Sequence, residues 1–147
     1  MLRKYYLNNM DNFRNAAKAF IVKDGTLLLI KRRANDAHEP GTWDNPGGRL
    51  ELGENPFTGL QRETQEEIGT DIEIITPLDV HFFTRDDGQK IQLSIFICKL
   101  NEGKIRLSEE HTEYQWKDLN DPIEDFPINF QCCVRKFKQF GFANFIT

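Results

Sequence analysis

Asn55-Pro56-Phe57-Thr58-Gly59-Leu60-Gln61-Arg62-Glu63-Thr64-Gln65-Glu66-Glu67-Ile68-Gly69 reads as a helix with both ends marked. Asn55 can cap the first turn, Pro56 suits the first helical position, and Gly69 supplies a left-handed exit. On a wheel of about 100° per residue, Phe57, Leu60, Thr64 and Ile68 fall in one narrow stripe, the side expected to be buried. Glu63, Glu66 and Glu67 share an adjoining arc of about 100°. Such an arc is locally unfavourable: Glu63 and Glu67 are like charges four apart, at a cost of roughly a few tenths of a kcal/mol. Glu66 and Glu67 also sit near the negative end of the helix dipole. A divalent cation would reverse both effects, since carboxylate oxygens are what Mg2+ selects. The plainer alternative is a solvated acidic face with an Arg62–Glu66 pair. Gly59, one turn before Glu63, costs about 1 kcal/mol relative to Ala. It either leaves space for metal or phosphate oxygens or packs closely on a neighbouring element.

Just upstream, Pro46-Gly47-Gly48 is a loop whose backbone can come close to a ligand, and Glu51 and Glu54 lie between it and the helix. Farther out, Ala17 to Val22 and Thr26 to Lys31 are apolar, β-branched-rich runs around Lys23-Asp24-Gly25, a hairpin signal. Residues 32–53, rich in Gly and Pro, are expected to be mostly loop. Beyond the helix, Asp71 to Ile75, Val80 to Thr84 and Ile91 to Lys99 read as strands, the last two joined by Arg85-Asp86-Asp87-Gly88, with Tyr114 to Trp116 as a further short one. Phe130, Val134 and Phe137, with Cys133 and Phe140 alongside, repeat at helical spacing up to Gly141. Strands, a helix, strands and a helix predict an α/β fold, a mixed sheet with helices on its faces.

The chain has 147 residues, enough for one domain, 1–147, with residues 1–15 as a lead-in. Its 19 basic and 23 acidic residues give a net charge of −4, against a grip on a nucleic acid polymer through phosphate coating. Residues 48–69 hold five Glu and two Arg, so much of the excess acidity belongs to the helix and its approach. No apolar run approaches a membrane span and no signal-peptide block is present. Cys98, Cys132 and Cys133 have no C-x-x-C spacing, so neither a disulfide framework nor a zinc site is expected. All three sit on apolar patterns and read as core residues of a reduced, cytoplasmic protein.

Gly48 followed by Glu54, then Arg62-Glu63-Thr64-x-Glu66-Glu67-x-Gly69-Thr70, resembles the Nudix box, G-x5-E-x7-R-E-U-x-E-E-x-G-U, with U a bulky aliphatic residue. Every fixed residue stands at the family spacing; Thr64 and Thr70 at the U positions are mild departures. The resemblance implies an α/β/α sandwich and a Mg2+-dependent hydrolase of pyrophosphate bonds, with Mn2+ as a substitute. It makes Glu63, Glu66 and Glu67 the main metal ligands, aided by the Gly48 carbonyl, with Glu54 supporting the site and Arg62 orienting Glu63. Glu63 is taken as the base that deprotonates water.

Arg32 to His38, Trp43-x-x-Pro-Gly-Gly and Asp125-Phe126-Pro127-Ile128-Asn129 further resemble the MutT type, which hydrolyses oxidised guanine nucleoside triphosphates such as 8-oxo-dGTP. That implies a nucleoside triphosphate cut to monophosphate and pyrophosphate. Arg33 would meet phosphate or be a surface cation; Glu110 would be a further metal ligand or part of an acidic turn. Asn129 would read the base edge or cap the last helix; Phe83 would stack on the base or join the core. Asn45 stands where the MutT type has Phe, which alters the base pocket or makes it more polar. ADP-ribose or a dinucleoside polyphosphate is the alternative substrate, a non-catalytic nucleotide sensor the alternative class. An isoprenoid diphosphate isomerase needs an acid and a thiol outside the box. The protein is expected to be a monomer or homodimer.

Overall fold

Asp24 and Gly25 both take positive φ, 49° and 74°, the left-handed pair that a two-residue hairpin needs to match the twist of its strands. They join β1 (Phe13–Lys23) to β2 (Thr26–Arg32). The structure is a computed structural model and describes residues 12–144. Most of the 1–15 lead-in lies outside the described residues, and β1 already begins at Phe13, inside the boundary the sequence suggested.

The loop-rich segment contains two short strands, β3 (Trp43–Asp44) and β4 (Gly47–Arg49). β4 lies antiparallel to β1, with Ala17 opposite Gly48 and Lys18 opposite Gly47. Close approach explains the glycine: a Cβ on Gly47 would strike the Ala17 carbonyl and lie 2.8 Å from Lys18 Cα. Helix α1 runs Pro56–Ile68, with the Asn55 side chain accepting from the Phe57 N–H and Gly69 left-handed at φ 67°. Both ends fall where the sequence puts them.

The expected strands at 71–75 and 80–84 are one strand, β5 (Ile72–Thr84), paired antiparallel with β6 (Lys90–Leu100) through two register shifts around Thr76 to Asp79. Pro77 misled the periodicity. It is tolerated because β5 is the last strand in the order β3-β2-β1-β6-β5, where one edge needs no donor among the described residues. β1 and β6 are parallel, and β7 (His111–Asp118) pairs antiparallel with β2, so the seven-stranded sheet is mixed.

The two sheet faces carry separate cores. Leu60 and Ile68 of α1 pack with Ala17, Ala19, Ile21, Leu28, Ile30 and Phe96. The other face holds Phe20, Leu27, Leu29, Ile95 and Ile97 against Cys133, Val134 and Phe137 of α2 (Gln131–Gln139). This is the expected α/β/α sandwich. Phe57, expected in the buried stripe, is 49% exposed with its ring centroid 5.3 Å from that of Phe96, because it lies at the open first turn. Phe140 is exposed beyond α2, and Cys132, read as core, is exposed on its first turn; Cys98 and Cys133 are buried as expected. No helix among the described residues is long and apolar enough to cross a membrane.

Candidate active site

Helix α1 presents Glu63 and Glu67 to the β4 segment, which β1 holds in place. The Gly47 N–H donates to Glu67 Oε2 at 2.8 Å. A Cβ on Gly48 would meet Glu63 Oε2 at 3.1 Å, so the bare backbone there leaves room for the Glu63 carboxylate. Glu67 is buried, and burial pushes its carboxyl up to about 7 against the opposing pull of Lys18. Burial also raises the Glu63 carboxyl, with Arg62 opposing.

Arg62 does more than orient Glu63. Its Nε and Nη2 donate to Glu54 Oε2 and Oε1, both at 2.9 Å, while Nη1 lies 3.1 Å from Glu63 Oε1 and 3.3 Å from Glu66 Oε1. The two-pronged bond to Arg62 holds the Glu54 carboxyl down to about 2. One planar guanidinium thus fixes three carboxylates, a geometry Lys could not reproduce. Glu66, more exposed, has its Arg62 contact and faces solvent.

Gly59 resolves in favour of packing. A Cβ there would lie 2.6 Å from Leu50 Cδ2 and 2.8 Å from Glu54 Oε1, so the glycine makes space for the Glu54–Arg62 clasp and not for a ligand.

Other parts arrive from afar. Glu110 and His111 offer ligand atoms that lie with Glu67 in one group, all within 4.8 Å of one another. Burial lowers the buried His111 ring to about 4, and its Nδ1 has no partner. The Arg33 N–H donates to the Glu110 carbonyl at 2.9 Å, and the buried Arg33 Nε is unpartnered. Glu110 therefore comes within ligand reach of Glu67, and Arg33 is tied to the Glu110 loop through its backbone.

Phe83 lies on β5 and Asn129 in the turn just before α2. Phe83 is 44% exposed, not core, on the β5 face that also carries His81. Asn129 is exposed and caps nothing, since Phe130 is the residue at the start of α2 and gives no side-chain cap. Asn45 is fully buried, with Nδ2 3.4 Å from the Ala19 carbonyl; it turns into the sheet and does not wall an open pocket.

Lys18 was missed by sequence reasoning. Its Nζ donates to Asp44 Oδ2 at 2.9 Å, to the Asn45 carbonyl at 3.1 Å and to the Gly47 carbonyl at 2.9 Å. Asp44 also takes Arg32 Nη2 at 3.1 Å. The signal was present: a single Lys in the otherwise apolar Ala17 to Val22 run is a buried charge waiting for a partner.

Comparison with known proteins decides the family. The family model described as "NUDIX domain" matches residues 12–135. The chain belongs to the Nudix family. A MutT-like protein of Streptomyces ambofaciens is 37% identical over 102 residues, covering 69% of this chain and 61% of that protein, so the chain spans about three fifths of that relative's length. The nucleoside triphosphatase NudI of Escherichia coli O139:H28 is 33% identical over 113 residues, covering 70% of this chain and 80% of that one. Among solved structures, the MutT protein of Methanosarcina mazei Go1 superposes with a TM-score of 0.77 at 26% identity, over 88% of this chain and 95% of that one. A MutT Nudix hydrolase of Burkholderia pseudomallei gives 0.73 at 28%, over 84% and 97%. This Nudix protein therefore has the fold of the pyrophosphate-bond hydrolases to which its box pointed.

Proposed function

We propose that this Nudix protein is a Mg2+-dependent nucleoside triphosphate pyrophosphohydrolase that releases nucleoside monophosphate and pyrophosphate. The observation that carries this reading is the pair Glu63 and Glu67 set against the Gly47–Gly48 backbone, with burial holding both carboxyls above their ordinary range and Glu110 within ligand reach of Glu67. A half-buried acid, Glu63, a buried one, Glu67, and the exposed carboxylates of Glu66 and Glu110 are the oxygen-rich donor set that a hard divalent cation takes, so the residues present fit Mg2+, or Mn2+ in its place. Glu63, Glu66, Glu67, the Gly48 carbonyl and Glu110 would hold it. When bound, the cation supplies charge neutralisation on the phosphate oxygens. Glu63 takes the proton of the attacking water, and Arg62 keeps that carboxylate aimed through its grip on Glu54 and Glu66. Arg33, with its free Nε beside the Glu110 loop, binds phosphate. Phe83 stacks on the base, and Asn129, its amide free, reads the base edge.

The nucleoside triphosphate preference is supported by likeness to the protein named nucleoside triphosphatase NudI and to MutT proteins. Oxidised nucleotides such as 8-oxo-dGTP are the substrates expected from the MutT resemblance. Incubating the full chain with Mg2+ and, separately, canonical nucleoside triphosphates, 8-oxo-dGTP and ADP-ribose, then identifying the products, tests this. Monophosphate plus pyrophosphate is expected. Turnover of ADP-ribose alone, or tight nucleotide binding without turnover, would overturn it.

A further inference from the structure

The second cluster of metal-ligand side chains lies on the opposite face of the sheet from α1, where β5 meets the start of α2. His81 Nε2 stands 3.0 Å from Asp79 Oδ2, 3.4 Å from Cys132 Sγ and 3.9 Å from Cys133 Sγ. All four ligand atoms lie within 4.8 Å of one another. Three neighbours converge on a single ring nitrogen, which rules against a Cys–His–Asp proton relay, since such a relay uses one nitrogen for each partner. A coordination sphere requires donor atoms that are all close to one another, as these four are. With metal–sulfur bonds of about 2.3 Å and metal–nitrogen or –oxygen bonds of about 2.0 Å, a tetrahedral site has edges of about 3.3 to 3.8 Å.

The surroundings prepare Asp79 for the same role. Its Oδ1 is taken by the Val80 N–H at 2.9 Å and by Lys136 Nζ at 2.7 Å, which leaves Oδ2 turned to His81 and the thiols. Outer hydrogen bonds of this kind orient the ligands of metal centres. The ligands come from a strand and a helix already packed together, with Asp79 and His81 half-buried, Cys133 buried and Cys132 exposed.

We infer that Asp79, His81, Cys132 and Cys133 form a site for a thiophilic divalent ion of the zinc class, separate from the carboxylate site on α1. Two thiolates, an imidazole and one carboxylate oxygen select such an ion over Mg2+. The bound ion ties α2 to the edge strand beside Phe83 and Asn129.

The test uses the full chain, reduced and freed of metal, with excess Mg2+ present to occupy the carboxylates, titrated with Co2+. A stoichiometric thiolate-to-cobalt charge-transfer band, with the intense visible bands of tetrahedral cobalt, is expected, and Zn2+ abolishes both by displacement. Cys132→Ser and His81→Gln each weaken Co2+ binding by more than the roughly 10-fold that loss of even an outer partner costs, while Glu66→Gln leaves the spectrum intact. Should Cys133→Ser not fold, the two more accessible variants decide alone. No charge-transfer band, a band that survives loss of His81, or a band lost in Glu66→Gln would each overturn the proposal.

Discussion

Two regions of this molecule gather metal-ligand side chains by opposite routes. The carboxylates on α1 come from one stretch of chain, spaced by a helix that Asn55 and Gly69 delimit. The group at the β5–α2 seam is drawn from residues about fifty positions apart, and only sheet pairing and the packing of α2 bring them together. The first can be read from spacing because a helix converts spacing into geometry. The second has no spacing to read. The first is also clamped internally by Arg62, whereas the second is bordered by a single lysine, Lys136, on Asp79.

The comparison breaks most directly at Glu63. Glu63→Gln should lower kcat by about 100- to 10,000-fold, the range for loss of a general base, while circular dichroism shows the fold retained. Wild-type-like turnover would remove chemistry from the contiguous region.

Next in size is a pair of opposite pH effects where the helix meets residues brought from afar. In chelator, with the carboxylate site metal-free, His111 titrates near 4 when folded and 6.5 when unfolded, so its contribution to stability is lost as pH falls through that window. Glu67 titrates near 7 when folded against an ordinary 4.5, so the folded state takes its proton first and gains stability over nearly the same fall. Each displacement is worth about 3 kcal/mol at about 1.4 kcal/mol per pH unit. The two nearly cancel in the native protein. Denaturant unfolding between pH 7.5 and 5 should therefore show Glu67→Gln losing stability on acidification and His111→Gln gaining it; parallel slopes in both variants would refute the pairing.

The smallest effect concerns Gly59. If the glycine left room for a ligand, Gly59→Ala would stabilise the helix by about 1 kcal/mol. Contact with Leu50 and Glu54 reverses the sign, and a net loss of about 1 to 2 kcal/mol is expected in thermal unfolding.

The hairpin at Asp24-Gly25, the limits of α1 and the glutamate arc were legible because each depends on neighbours in sequence. Glu54 was visible as a charge but its clasp with Arg62 was not, since the loop from Glu51 to Glu54 folds back only when Gly59 lets it. The unity of β5 was hidden by Pro77, whose tolerance depends on being at a sheet edge. Absence of a C-x-x-C spacing argued against zinc, yet Cys132 and Cys133 on α2 find His81 on β5. Lys18, Asp44 and His111 escaped notice because each looks ordinary in its own segment and becomes distinctive only when buried beside the others.

The interruption of β5 also bears on edge-to-edge pairing of sheets. Among the described residues no strand pairs on the far side of β5, and a straight outer strand of 13 residues would offer a row of free donors and acceptors there. Pro77 removes one donor from that row, and the register shifts beside it bend the remainder. What is left are two short lengths out of line with each other, a poor template for a growing fibril. The irregularity that obscured the strand in the sequence is of the kind that blunts an exposed sheet edge.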